Sequence, residues 1–314
     1  MSALRDSLES YLALRRALGT RLAEPGMALS AFVSLLEAEG LDHITTESAV
    51  RWARQPEWAQ PATWARKLTA VRGFASWLSA GDSQTVVPPH GTLVERHRRK
   101  PPHIYSPQEI RRLMWHARRL PSRTGLRART YTILIGLLAS TGLRSGEALA
   151  LDIADVDLRA GILAVRDTKF GKSRLVPVSP TTGRALARYS RFRDTAAPQR
   201  ETQAFFVSER GTRLTGCAAR GTFAHLCAEV GLRPSVGRRS GRGPRLHDLR
   251  HTFATTKLIE WYRAGLDVGR EIPKLTTYLG HSEVGNTYWY IEAVPELLQL
   301  ATERLSAQRS GDRR

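Results

Sequence analysis

Two proline pairs, Pro88-Pro89 and Pro101-Pro102, divide this chain before any other feature is considered. Proline has no amide proton to give a helix or a central strand, and it drives the residue before it into extended backbone. No regular element can therefore run through GDSQTVVPPHGTLVERHRRKPPHI, residues 81–104, where Arg96, Arg98, Arg99 and Lys100 also cluster. The chain must fold as two bodies joined by a basic connection. On this reading residues 1–85 form a first domain, 86–104 a linker and 105–314 a second domain.

The first body reads as helical throughout. Leu4, Leu8, Tyr11, Leu12 and Leu18 recur near one helical face, ALSAFVSLLEAEG stops at Gly40, and Thr45 or Thr46 caps the helix that follows. In PATWARKLTAVRGFASWLSAG, Trp64, Leu68, Val71, Ala75 and Leu78 share a face and leave Arg66, Lys67 and Arg72 to project elsewhere, which predicts a basic surface. Trp52, Trp58, Trp64 and Trp77 are expected in core or interhelical contacts. Ser106, Pro107 and Glu109 then supply the cap, first position and third position of a new helix at the start of the second body. YTILIGLLASTGL predicts an apolar helix ending near Gly142, and GILAVRDTKFGKSRLVPVS two short strands about a Phe170-Gly171 turn. Helical patterns continue through residues 181–230 and 246–305, interrupted by a loop carrying Arg233, Arg238, Arg239, Arg242 and Arg245. The expected class is mainly α with a small antiparallel β-sheet in the second domain.

Charge narrows the partner. Lys and Arg number 48 against 29 Asp and Glu, a formal net charge of +19, which predicts a polyanion and above all nucleic acid. Lys67, Arg72, Arg96, Arg98, Arg99, Lys100, Arg242 and Arg245 are the expected contacts to it. No run approaches a membrane-spanning length, and the opening MSALRDSLESYLALRR lacks a signal-peptide core. Two cysteines, Cys217 and Cys227, make neither a disulfide framework nor a zinc site, so a cytoplasmic protein is expected.

Four separated segments require a common explanation: TGLRSGEAL (141–149), the hairpin around Lys169, LHDLRHTFAT (246–255) and LGHSEVGNTYWYIE (279–292). In this order, with a tyrosine nine residues beyond the His of the LGH box, the set resembles the tyrosine recombinase, or phage integrase, family. The resemblance spans residues 105–305 and, more loosely, the helical first domain. It implies Arg144, Lys169, His247, Arg250, His281 and Tyr290 as the catalytic set, with Glu147 in support. It implies a two-domain clamp on double-stranded DNA and a homotetramer on paired sites. It also implies that the C-terminal segment VPELLQLATERL docks on a neighbouring subunit. No metal and no other cofactor is implied.

These residue types suit the chemistry. Displacement at a phosphodiester builds negative charge on the nonbridging oxygens, where permanently charged, two-pronged guanidinium groups act best. A tyrosine nucleophile conserves the bond energy in a protein–DNA ester. The leaving 5′ oxygen needs a proton, which lysine can release and arginine cannot, so Lys169 is informative in a chain with only six lysines. Lys172 on the same hairpin is the alternative. His247 can take the Tyr290 proton or hold phosphate. Tyr288 competes with Tyr290, and spacing from the LGH box favours Tyr290. Three rivals stand beside this reading: a type IB topoisomerase-like nicking and closing enzyme, an inactive DNA-binding relative, and a metal-dependent nuclease. For the last, the nearby acids Glu147, Asp248 and Glu283 do not cluster by spacing.

Overall fold

The computed structural model describes residues 2–20, 22–93, 101–166, 173–233, 243–280, 283, 285, 296–300 and 302. The chain divides into two compact units, Met1–Lys100 and Pro101–Arg314.

The first unit holds four helices: α1 (Ala3–Ala17), α2 (Ala23–Ala38), α3 (Thr46–Ala53) and α4 (Pro61–Leu78). Leu4, Leu8, Tyr11 and Leu12 fall on one stripe of α1 and are buried against Phe32, Leu36, Val71 and Phe74. Ser2 caps α1 by accepting from the Arg5 amide, and Thr45 caps α3 by accepting from that of Ser48. Leu18, expected on the α1 face, lies beyond the last helical residue and is 71% exposed. Trp58, expected in a contact, is 87% exposed in the turn before α4, whereas Trp52 is buried. Packing extends past residue 85, because the Val86 amide donates to Ile44 O and Leu93 packs on the same core.

The second unit opens with the anticipated capping box. Ser106 Oγ accepts from the Glu109 amide while the Glu109 carboxylate accepts from the Ser106 amide, and α5 (Pro107–Ala117) follows. The next helix, α6 (Leu126–Thr141), is apolar around most of its circumference, as a central helix must be, and α5 packs on it. After α7 (Ser145–Ala150) come β1 (Val156–Asp157), β2 (Ile162–Val165) and β3 (Arg174–Pro177), an antiparallel sheet in sequence order. Leu163 pairs with Val156 and Val176, and Val165 pairs with Arg174 at the hairpin end. Then follow α8 (Pro180–Ala196), α9 (Gly216–Glu229), α10 (Asp248–Arg263) and α11 (Val268–Leu279).

The helical expectation for residues 181–230 fails between α8 and α9. There Phe205, Phe206 and Val207 are buried on an irregular stretch with isolated bridges at Ala204 and Val207, and the Phe205 amide donates to Leu151 O. Three consecutive buried residues cannot come from a one-sided surface helix, and main-chain bonds to Leu151 and Ile153 hold this stretch against the core of the second unit instead. Residues 296–300 are helical, and Leu297 is buried with Leu258, Ile272 and Leu279 of α10 and α11 in the same chain.

Candidate active site

Two helix ends form the frame. α6 ends on Gly142 and α11 on Gly280, both in the left-handed conformation with φ of 62° and 68°. A side chain at either position would collide: a Cβ at Gly142 would lie 2.5 Å from Phe253 Cδ1, and one at Gly280 2.8 Å from Arg174 Nη1. A helix C-terminus leaves its last carbonyls without helical partners and carries partial negative charge. Here those carbonyls attract arginines.

Arg250, in the first turn of α10, is almost fully buried. Its Nη1 donates to Gly142 O at 2.9 Å and its Nη2 to Leu279 O at 2.7 Å. Arg144, immediately before α7, donates through Nη2 to Gly280 O at 2.9 Å and through Nη1 to Glu147 Oε1 at 2.7 Å. Both expected catalytic arginines thus sit on adjacent carbonyls of one helix end. Arg144 keeps a third of its side chain open to solvent.

Glu147 is the internal counter-ion. Its carboxylate accepts from the Arg144 amide and side chain, and from both terminal nitrogens of Arg174 at 3.1 and 2.8 Å. Burial alone would push its carboxyl up. The hydrogen bonds and charge of Arg174, joined by Arg144, outweigh burial and hold the carboxyl below its ordinary value. Arg174 also donates from Nε to Tyr278 O at 2.8 Å. Sequence reading passed over this residue. The available signal was a charged side chain two positions before Val176, on the strand face that is buried.

His247 stands at the start of α10. The protein mass around it, then the charge of Arg250, hold its imidazole below the ordinary value even though part of its surface is exposed. A neutral ring at neutral pH can accept a proton. His251, one turn on, meets it edge to face at a centroid distance of 5.0 Å, and burial followed by the His247 charge lowers its pKa to about 4. Asp248 is buried between them in sequence and accepts from the Arg245 amide and guanidinium at 2.8 and 3.1 Å, fixing the turn into α10. The Tyr105 hydroxyl donates to Arg245 O and its amide to Thr252 Oγ1, so the start of the second unit is pinned to the same helix.

Of the expected catalytic residues, Arg144, His247 and Arg250 come together here. Lys169, Lys172, His281, Tyr288 and Tyr290 lie outside the described residues, as do Arg96, Arg98, Arg99, Lys100 and Arg242. Two expected DNA contacts also make internal hydrogen bonds. Lys67 donates from Nζ to Trp52 O at 3.0 Å and Gln55 O at 2.6 Å, capping the end of α3 over the Trp52 ring. Arg72 donates to Pro88 O and Pro89 O at 2.8 and 2.9 Å. Trp52 O also accepts from the Gln55 amide, so Lys67 adds a second donor at the end of α3, whereas Arg72 reaches carbonyls of a proline pair whose own nitrogens carry no proton. Arg245 has half of its side chain exposed. Among the described residues no group of three or more His, Cys, Asp or Glu is arranged to hold a metal, and no helix is long and apolar enough to cross a membrane.

Comparison with known proteins adds an independent line. Residues 104–296 match the family model described as the phage integrase family. Over 309 residues the chain is 44% identical to the Sinorhizobium fredii protein y4rB, whose name describes it as an integrase/recombinase, covering 97% of this chain and 98% of that one. It is 29% identical over 315 residues to the tyrosine recombinase XerC of Mycobacterium bovis, covering 97% and 98%. Among solved structures, the Tn1549 transposon integrase in complex with transposon right-end DNA superposes with a TM-score of 0.65 at 18% identity, covering 98% of this chain and 100% of that one. The XerH site-specific recombinase bound to a palindromic difH substrate gives 0.62 at 18%, covering 89% and 77%. These structural likenesses speak for the fold.

Proposed function

The chain belongs to the phage integrase family, the tyrosine recombinases, and on that premise we propose that it cuts and rejoins DNA strands at specific sites through a covalent 3′-phosphotyrosine link at Tyr290. The observation that carries this reading is the convergence of Arg144 and Arg250 on the α11 terminus beside a neutral His247. Two fixed guanidinium groups at one point are what a pentacovalent phosphorane needs.

In the proposed step the Tyr290 hydroxyl oxygen bonds to phosphorus and the bond from phosphorus to the 5′ oxygen breaks. The tyrosine proton passes to His247, and the leaving 5′ oxygen takes a proton from Lys169. Arg144, Arg250 and His281 bear the charge on the nonbridging oxygens. A 5′ hydroxyl from a second strand then reverses the step, so neither ATP nor a metal ion is consumed. Double-stranded DNA is the partner, held also by Arg245, Arg242 and the basic run Arg96, Arg98, Arg99 and Lys100. Two paired sites and four subunits complete the exchange. The DNA-bound states of the structurally similar Tn1549 integrase and XerH support this partner, and the likeness to an integrase/recombinase favours movement of a mobile element.

The test uses plasmids bearing the DNA ends that flank the gene's own element, incubated with purified protein in EDTA. Recombinant joints that depend on those ends are the expected result. Relaxation of any supercoiled plasmid without joints would instead indicate a topoisomerase, and cleavage only on addition of a divalent metal would contradict the proposal.

A further inference from the structure

We propose that Arg174 is a positioning residue for strand cleavage: it locks Glu147 and the end of α11 together, so that Arg144 faces the scissile phosphate instead of closing on Glu147. The inference rests on the catalytic reading above but goes to a residue outside its six.

Three connections support it. Arg174 is the first residue of β3, directly after the hairpin that carries Lys169, and pairs with Val165 at that end of the sheet. Strand alternation turns Arg174 and Val176 inward and Leu175 outward, where it is 67% exposed. A buried face normally takes an apolar side chain, and an arginine there must be fully employed. Its two terminal nitrogens meet the two Glu147 oxygens in a fork, and its Nε meets Tyr278 O. Its guanidinium also lies against the Gly280 backbone, so that a Cβ there would stand 2.8 Å from Nη1.

One side chain therefore ties the hairpin, the Arg144 segment and the turn leading into His281. Glu147 has two carboxylate oxygens and two arginines competing for them. With Arg174 occupying both, Arg144 makes one side-chain bond to Glu147 and turns its other terminal nitrogen to Gly280 O. Without Arg174, the buried carboxylate would draw both terminal nitrogens of Arg144 to itself, and lysine could not restore the fork because it is a point charge.

The experiment compares full-length wild type, Arg174→Met, Arg174→Lys and Arg174→Met combined with Glu147→Gln. Covalent DNA adduct is followed in single turnover at saturating DNA, and amide hydrogen exchange without DNA. Arg174→Met and Arg174→Lys should each lose about 100-fold in adduct rate, the cost of misplacing a reacting group by about an ångström, with DNA affinity within about threefold. The double variant should regain at least about tenfold over Arg174→Met, because removing the carboxylate charge releases Arg144. Exchange should quicken at Ser145–Ala150 and residues 276–280 and stay unchanged in α8. A merely structural arginine would instead give quickened exchange across the unit and a double variant no faster than Arg174→Met, which overturns the proposal. Wild-type rates in both single variants overturn it too and leave the catalytic reading intact. Absence of adduct in wild type defeats that reading, and the exchange pattern still decides whether Arg174 locks the segments.

Discussion

Glu147 and His251 show how a few residues set the charge state of this site. The first is a buried carboxylate that stays ionised because two arginines surround it. The second is an imidazole that burial, the His247 ring and the nearby Arg245 and Arg250 keep neutral, with Asp248 opposing them too weakly to reverse the shift. Its pKa of about 4 in the folded protein lies below the ordinary 6.5, so the unfolded chain binds the proton more readily. The stability this contributes is complete above pH 6.5 and is lost as the pH falls toward 4, on the order of 3 kcal/mol. His251→Gln should therefore flatten the fall in urea midpoint between pH 6.5 and 4.5 relative to wild type. Parallel curves for the two proteins would contradict the assignment. Motif spacing singled out Arg144, His247 and Arg250, and the fold brings the two arginines to adjacent carbonyls of one helix end. Arg174 was not, because its partner Glu147 lies 27 positions away and only the fold reveals their pairing.

At the scale of elements, the site is a junction of helix ends more than a pocket. The terminus of α6 receives Arg250, and that of α11 receives Arg144, Arg174 and Arg250. Gly142 makes the first of these possible. Gly142→Ala combines a left-handed backbone, costing about 1–2 kcal/mol, with a Cβ 2.5 Å from the Phe253 ring. A loss of about 3 kcal/mol in urea unfolding is expected, and a loss below about 1 kcal/mol would show that the ring moves aside freely. The elements that sequence predicted well are those with local signals: the Ser106 and Glu109 capping box, the Gly142 stop and the strands about residues 162–165 and 174–177. Those it missed depend on distant partners. The stretch 203–207 is held by Leu151, which accepts from it, and Ile153, which donates to it, and the internal bonds of Lys67 and Arg72 go to carbonyls 12 to 17 positions away.

For the whole molecule, the chain divides into two units, Met1–Lys100 and Pro101–Arg314. Each has its own apolar core, which the proline pairs at residues 88–89 and 101–102 already required. The net charge of +19 supplies an affinity for phosphate that is independent of sequence and weakens with salt. Fold and family were therefore accessible from sequence, whereas the internal ion network was not. Strand cleavage by this chain turns on the identity of its nucleophile. Purified protein incubated in EDTA with nicked DNA carrying its site, followed by nuclease digestion and mass spectrometry, locates any phosphorylated residue. A phosphodiester on Tyr290 that disappears in Tyr290→Phe is the expected result. A stable adduct on Tyr288, or cleavage with no protein-linked phosphate at all, would contradict it.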